Sequence, residues 1–170
     1  MSGNPLNTTP FFDSLARRGV FFERCFAPTF STARALFAIL TGIPDAQLFK
    51  FSSQNPLALS QYTLINGLTD YQKHYFLGGD AEFNNFEGVL RNINGLIMHT
   101  GQRPSIPPIN VWGISDKDLF AEAHQVFEKA DAPFFAYIQT SGNHRPFQRA
   151  VPVSDSNFSR DTVSEEKMLS

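Results

Sequence analysis

The chain holds a single cysteine, Cys25, among 170 residues. One thiol excludes an intramolecular disulfide and leaves no cysteine-based structural metal site. Basic runs and Lys/Arg stripes are missing and the formal net charge is −2, so the electrostatic footprint of a nucleic-acid binder is absent. No apolar run approaches the roughly 20 residues that a membrane span needs, and residues 1–15 carry no signal-peptide apolar region. The chain as given is expected to be soluble. Internal repeats and low-complexity segments are absent as well. Tryptophan and tyrosine are scarce, one and four residues, beside 18 phenylalanines.

That many phenyl rings must be layered between packed elements, which excludes disorder for most of the length. A hydrophobic fraction of 42% and a charged fraction of 18% describe a globular chain, and 170 residues suffice for one domain with a core.

Helix signals alternate with short apolar runs. Residues 1–8 read as an irregular lead-in. Thr9 and Pro10 supply an N-cap and a first-turn proline, Phe12, Leu15 and Ala16 an apolar stripe, and Arg17-Arg18-Gly19 a stop. VFFERCFA, 20–27, predicts a strand ending at Pro28. FSTARALFAILTGIP, 30–44, predicts a helix over about 32–41, with Leu36, Phe37, Ile39 and Leu40 apolar and Gly42 and Pro44 as its stop. Residues 44–58 read as loop and about 60–69 as a weaker helix. KHYFLGG, 73–79, predicts a strand, 84–91 a short helix, and LIMHT, 96–100, another strand. GQRPSIPPINVWG carries three prolines and should wrap the surface. Ser115 and Asp118 make a capping-box-like start to a helix over about 116–130, whose apolar face is Leu119, Phe120, Ala123, Phe127 and Ala130. PFFAYIQT, 133–140, predicts a buried strand running into the loop SGNHRPF. This alternation argues for an α/β fold with a mainly parallel sheet.

Such sheets bind ligands beyond the carboxyl ends of their strands. Three loops leave those ends: CFAPTFSTAR, GGDAEFNN and TSGNHRPF. In the first, Ser31 or Thr32 is either an ordinary N-cap or, for Thr32, a nucleophile. A hydroxyl at a helix N-terminus faces unpaired N–H groups that favour phosphate, sulfate or a developing alkoxide. Arg34 falls in the first turn, where a cation opposes the helix dipole unless an anion occupies that end; it reads equally as a solvated arginine. His144 is either a surface histidine or a group that hydrogen-bonds a phosphoryl oxygen or protonates a leaving alkoxide. Asp80, Phe83, Asn84 and Asn85 either form a turn or line a polar pocket. His74, His99 and His124 show no ligand spacing and read as structural, Cys25 as packing within its strand, and Trp112 as a core or lid residue.

Taken in order, TPFFDSLARRGVFF, FSTARALFAILTGIP, YFLGGDAEFNNFEG, WGISDKDLF and PFFAYIQTSGNHRPF resemble the sulfatase/alkaline-phosphatase-like superfamily. More narrowly they resemble its branch of lipoteichoic acid synthases and phosphoglycerol transferases. The likeness covers about residues 8–170. It implies a three-layer α/β/α fold and a metal-dependent threonine nucleophile. Thr32 matches that nucleophile, itself a metal ligand, which attacks a phosphodiester such as phosphatidylglycerol to form a phosphoryl-threonine. His144 matches the substrate-binding histidine of the N-H-x-P-F motif. Phe83 and Asn85 fall where the synthases set an aromatic residue and an arginine against the glycerophosphate; the asparagine is a departure that bears on glycerophosphate specificity. Arg34 and Asp80 complete the expected substrate-binding set. The sulfatase motif C-x-P-S-R is not matched, since Cys25 lies seven residues before Thr32, so formylglycine chemistry is not expected. The implied cofactor is a divalent metal (Mn, Mg or Zn). The implied partners are phosphodiester or sulfate ester substrates, including phospholipid headgroups or glycans.

The family also carries a first strand ending in a metal-binding Glu, and a late strand with an Asp-His metal pair; neither is matched here. SEEKMLS, 164–170, reads as the first turns of a helix. The expectation is therefore a single partial catalytic domain over 1–170, from a parent anchored by N-terminal membrane helices and facing the periplasm or outer surface. Thr32 without carboxylate and imidazole partners would hold a divalent cation weakly. The chain as given is expected to bind no metal tightly and to turn over little or not at all. A non-catalytic anion-binding module or remnant of the same fold is the alternative. An unrelated doubly wound α/β domain would place Thr32 and His144 far apart.

Overall fold

The computed structural model describes residues 9–46 and 49–145. The lead-in at 1–8 and the helix start expected at 164–170 lie outside those residues. Strand β1 (Gln72–Leu77) pairs in parallel with β2 (Leu96–His99) on one side and β3 (Phe134–Gln139) on the other, in the order β2-β1-β3. Tyr75 stands opposite Met98 and Tyr137 in this register. A central parallel strand is covered on both faces, which is why its sequence is a near-continuous apolar run. Tyr75 and Leu77 face one layer, His74 and Phe76 the other.

Five α-helices are described: α1 (Pro10–Ala16), α2 (Thr32–Thr41), α3 (Pro56–Leu59), α4 (Phe86–Leu90) and α5 (Asp116–Phe127). Ala33, Leu36, Phe37 and Leu40 recur at helical spacing on α2, and their stripe packs with Phe86, Val89 and Leu90 against Tyr75 and Leu77. On the opposite face α5 sets Leu119 and Ala123 against Phe76 and Ile114. The result is three layers, α/β/α, as the resemblance implied. Helix α5 starts as its sequence predicts: the Ser115 hydroxyl accepts the Asp118 N–H at 3.0 Å and donates to its carboxylate at 2.6 Å.

Some expectations need correction. Residues 20–27 form no strand; no described strand pairs with them, and Val20, Phe22 and Phe26 stay 85%, 73% and 83% exposed. A β-rich run without a ladder partner gains nothing from extending. Cys25, read as packed within that strand, is therefore exposed. The stripe on α1 is likewise unburied. The helix expected near 60–69 is instead only a 3-10 turn at Leu64–Gly67, while α3 and a second 3-10 turn, Ser52–Gln54, fall in the stretch expected as loop. The helix expected at 84–91 begins only at Phe86, because Asn84 and Asn85 adopt φ of 51° and 56°. Asparagine tolerates that left-handed conformation.

At the carboxyl end of β1 the backbone meets itself. The Ile114 N–H donates to the Gly78 carbonyl at 3.1 Å, and Gly101 N–H to the Gly79 carbonyl at 2.7 Å. A Cβ on Gly113 would collide with the Gly78 carbonyl, and one on Gly79 with the Trp112 carbonyl. Gly113 also holds φ 115°, open only to glycine. Gly113→Ala should therefore cost about 1–3 kcal/mol in denaturant unfolding, more than Gly95→Ala, where nothing lies within 4 Å. Equal losses for the two would show that this crossing tolerates a side chain.

His74 and His99, read as unpaired structural residues, meet across the sheet with Nδ1 of His74 3.1 Å from Nε2 of His99. Register explains what spacing hid: Phe76 stands opposite His99, and His74 shares its face. Burial lowers the pKa of His74. Burial first, then the neighbouring His74 and the Arg103 cation, lower that of His99, against an opposing pull from Glu122. Both rings resist a proton that the unfolded chain accepts near about pH 6.5. Stability is thus full above that value and declines as pH falls below it, toward the lowered folded values. Urea midpoints should drop from about pH 8 to about pH 5.5, and His99→Gln should shrink the drop. An undiminished drop in the variant would assign it to other groups.

Candidate functional site

The first of the three loops, which follows no described strand, delivers α2. Ser31, just before it, holds φ 73° and ψ 138°, a conformation uncommon outside glycine. Its carbonyl accepts the Ala35 N–H at 3.0 Å, yet no side chain caps the helix. Thr32 is thus the first helical residue, with an exposed side chain, and the leading N–H groups of α2 lack a capping partner. The ordinary N-cap reading of the two hydroxyls does not hold.

Arg34 turns away from that helix end. It is only 4% exposed, with its guanidinium 4.7 Å from the Phe30 ring centroid and 5.2 Å from that of Phe51. Nη1 donates to the Asp45 carbonyl at 3.3 Å. Aromatic faces and a carbonyl hold the cation inside the fold, which corrects the solvated reading and places Arg34 outside the walls of the cavity described below.

The second loop follows β1. The Asp80 carboxylate accepts the Glu82 N–H at 2.8 Å, the turn its sequence suggests. Phe83 is half exposed and meets Trp112 edge-on, with centroids 5.5 Å apart. Asn85 is turned elsewhere: its amide donates to the Ser53 carbonyl at 2.5 Å, and the Ser53 hydroxyl donates to the Asn84 carbonyl at 2.8 Å. This docking of the turn explains why Asn85 does not reach the site.

The third loop, after β3, is held from two sides. The Asp116 carboxylate accepts the Ser141 N–H at 2.9 Å and the Gly142 N–H at 3.0 Å. From the other side, the Trp112 indole lies 4.0 Å from the His144 ring and donates Nε1–H to the Arg145 carbonyl at 2.8 Å. A cavity of about 540 Å³ opens between the three loops, within the usual range for small-molecule sites. Ser31, Thr32, Asp80, Phe83, Asn84, Trp112, Ser141 and His144 are among its walls. The fold therefore brings Thr32, Asp80, Phe83 and His144 together and leaves Arg34 and Asn85 outside. Sequence reasoning passed over Trp112 and Asp116 as wall and loop anchor, although both stand in the WGISD segment that carries part of the resemblance.

A divalent metal needs several converging donors. Among the described residues no three of His, Cys, Asp and Glu gather to hold one. Thr32 as a metal ligand therefore finds no matching ligand set among the described residues.

Three layers around a parallel sheet, with a cleft at the strand carboxyl ends, define the class of α/β proteins that bind ligands at that edge. More narrowly, residues 1–169 match the sulfatase family model, and the chain belongs to the sulfatase family. Among solved structures it is similar to a protein of the alkaline phosphatase superfamily from Vibrio parahaemolyticus, at 25% identity and a TM-score of 0.63 over 78% of this chain and 34% of that one. It is also similar in fold to the lipoteichoic acid synthase LtaP from Listeria monocytogenes, at 17% identity and a TM-score of 0.65 over 82% of this chain and 35% of that one. The chain thus spans about a third of the length of these two structures. Among the described residues no helix is long and apolar enough to cross a membrane.

Hydrogen bonds to a carboxylate are among the stronger ones in water-exposed loops. Asp116→Ala should accordingly speed hydrogen exchange at the Ser141 and Gly142 amides by about tenfold or more. Unchanged exchange would show that another contact holds the loop.

Proposed function

We propose that this chain forms the substrate-oxyanion portion of a sulfatase-family enzyme acting on a phosphodiester or sulfate ester, with Thr32 as nucleophile. One observation carries the reading: Thr32, at an uncapped helix start, and His144, from a loop 112 residues further on, wall the same cavity. The leading N–H groups of α2 suit the non-bridging oxygens of such an ester. The Thr32 hydroxyl at that end is the group placed to form the new ester bond as the alcohol departs. His144 hydrogen-bonds a non-bridging oxygen or passes its proton to the departing alkoxide. The free carboxylate oxygen of Asp80 would repel an anion, so its part is to accept a substrate hydroxyl. Phe83 and Trp112 offer ring surface to the alcohol portion, which suits a phospholipid headgroup or a glycan. Asn85 is turned to Ser53, and among the described residues no arginine lines the cavity for a second phosphate contact.

The superfamily generally works with divalent metals. Such an ion would supply positive charge beside a reacting oxygen, and the described residues offer no ligand set for it beyond Thr32. An anion-binding module without turnover would use the same cavity, and the two separate on whether Thr32 ever carries a covalent phosphoryl group.

Titration calorimetry with inorganic phosphate tests the binding step. His144→Gln should weaken binding by about tenfold or more, and Thr32→Ala by several-fold, with circular dichroism unchanged in both. Phosphate that binds all three proteins equally, or none of them, would end the proposal.

A further inference from the structure

The same carbonyl oxygen, that of Arg145, receives two ring nitrogens. Trp112 Nε1 donates to it at 2.8 Å. His144 Nδ1 lies 3.0 Å from it. A carbonyl oxygen only accepts, so this contact is a hydrogen bond only when the His144 proton sits on Nδ1. Free imidazole in water has no such constraint. The indole cannot exchange roles either, since Nε1–H is a donor at every accessible pH.

We infer that Trp112 is a positioning residue that fixes the tautomer of His144: by pinning the Arg145 carbonyl it keeps the proton on Nδ1 and reserves Nε2 for the cavity. The inference rests on the proposed role of His144 and deepens it. Neutral His144 then presents a lone pair at Nε2, able to take a proton from a hydroxyl in the cavity. Once protonated, it presents an N–H and a positive charge to an oxyanion, while Nδ1–H remains on its carbonyl. One ring thereby serves as acceptor and donor without turning over.

The position of Trp112 is itself determined by backbone. Its N–H donates to the Asn110 side chain at 2.8 Å, and its carbonyl abuts Gly79 so closely that a Cβ there would collide with it. Its ring contacts Phe83 at 5.5 Å and His144 at 4.0 Å between centroids. The indole thus reaches the carbonyl at the far end of the 141–145 segment, whose near end is held by Asp116. Asp116 secures the start of that loop and leaves the carbonyl after His144 to Trp112.

Long-range proton–nitrogen NMR on the uniformly nitrogen-labelled 170-residue chain reads the tautomer directly. Above the histidine titration range, the wild-type His144 ring should show its proton on Nδ1. Trp112→Phe keeps an aromatic ring but removes the N–H; it should shift the tautomer ratio toward Nε2–H by about fivefold, the effect of losing one ordinary hydrogen bond. Trp112→His, which can restore a ring N–H, should recover part of the shift. A wild-type ring protonated on Nε2, or a ratio unmoved in a folded Trp112→Phe protein, would overturn the inference. Should that variant fail to fold, the wild-type spectrum alone still decides the tautomer. Because the readout needs neither substrate nor turnover, it separates from the phosphate titration: a chain with the Nδ1–H tautomer that binds no phosphate would sink the proposed function and leave this inference standing.

Discussion

The site depends on one close approach of backbone to backbone. Where β1 ends, Gly78 and Gly79 lie directly against the Trp112–Gly113–Ile114 segment, near enough that a Cβ on Gly79 or Gly113 would collide with the facing backbone. The contact does two things at once. Through the Ile114 N–H it continues the hydrogen bonding of β1 past the end of the sheet. It also fixes where Trp112 leaves the surface connection, so that the indole projects toward the loop after β3. Move the two segments apart by the width of a methyl group and Trp112 reaches neither Phe83 nor the Arg145 carbonyl. Asp80, two residues beyond the glycines, and His144 would then lose their common wall. Sheet geometry alone brings loops to one edge; this crossing turns that edge into a cavity.

How much of this could be read from residues alone follows from which interactions are local. Strands β1 and β3 are contiguous apolar runs flanked by turn residues, and α5 has both its cap and its stripe in sequence. Each carries its own signal and each was legible. The convergence of Thr32 and His144 was legible from loops expected at one sheet edge and from the resemblance; the first of these grounds assigns the Thr32 loop to a strand that does not form. What stayed hidden has partners distant in the chain. Asp116 sits in the first turn of α5, where an acidic residue suits the helix dipole, and its bonds to Ser141 and Gly142 leave no mark on spacing. His74 and His99 are 25 apart, and only the parallel register makes them neighbours. The one strand expected but not found, 20–27, failed for the converse reason: its local pattern is strong, but a strand needs a partner, and the described residues offer none.

Arg34 shows how a residue type can mislead. A guanidinium near an uncapped helix start looks like an anion ligand, since its charge otherwise opposes the dipole. Here the side chain bends back between Phe30 and Phe51 to the Asp45 carbonyl. Burial of a cation is costly unless its donors and its charge are met; two ring faces and one carbonyl answer part of that requirement, and Nε has no hydrogen-bond partner among the described residues. The arrangement gives Arg34 a mechanical part: it ties Phe30, immediately before Ser31, to the loop that carries Asp45 and Ser52. The charge that sequence assigned to ligand binding is used to hold the entrance to α2 in place.

That tie bears on the strain at Ser31. A serine at φ 73° costs about 1–3 kcal/mol and persists only where its surroundings over-determine it. On the carboxyl side it is followed by a helix whose Ala33, Leu36, Phe37 and Leu40 are buried, each large side chain contributing about 1.5–3 kcal/mol of burial. On the amino side the chain is thinly packed, with Phe22, Phe26 and Phe30 at 73%, 83% and 70% exposure. The strained residue therefore stands at the boundary between the firmest and the least supported parts of the described fold. Helix α2 fixes Thr32 to the core, so the hydroxyl keeps its place relative to β1. The approach through 20–30 has little packing to lose when it shifts, and local opening favours segments with few buried contacts. Thr32, the proposed nucleophile, is thereby held in place by α2, while the adjoining rim has little packing that resists its movement.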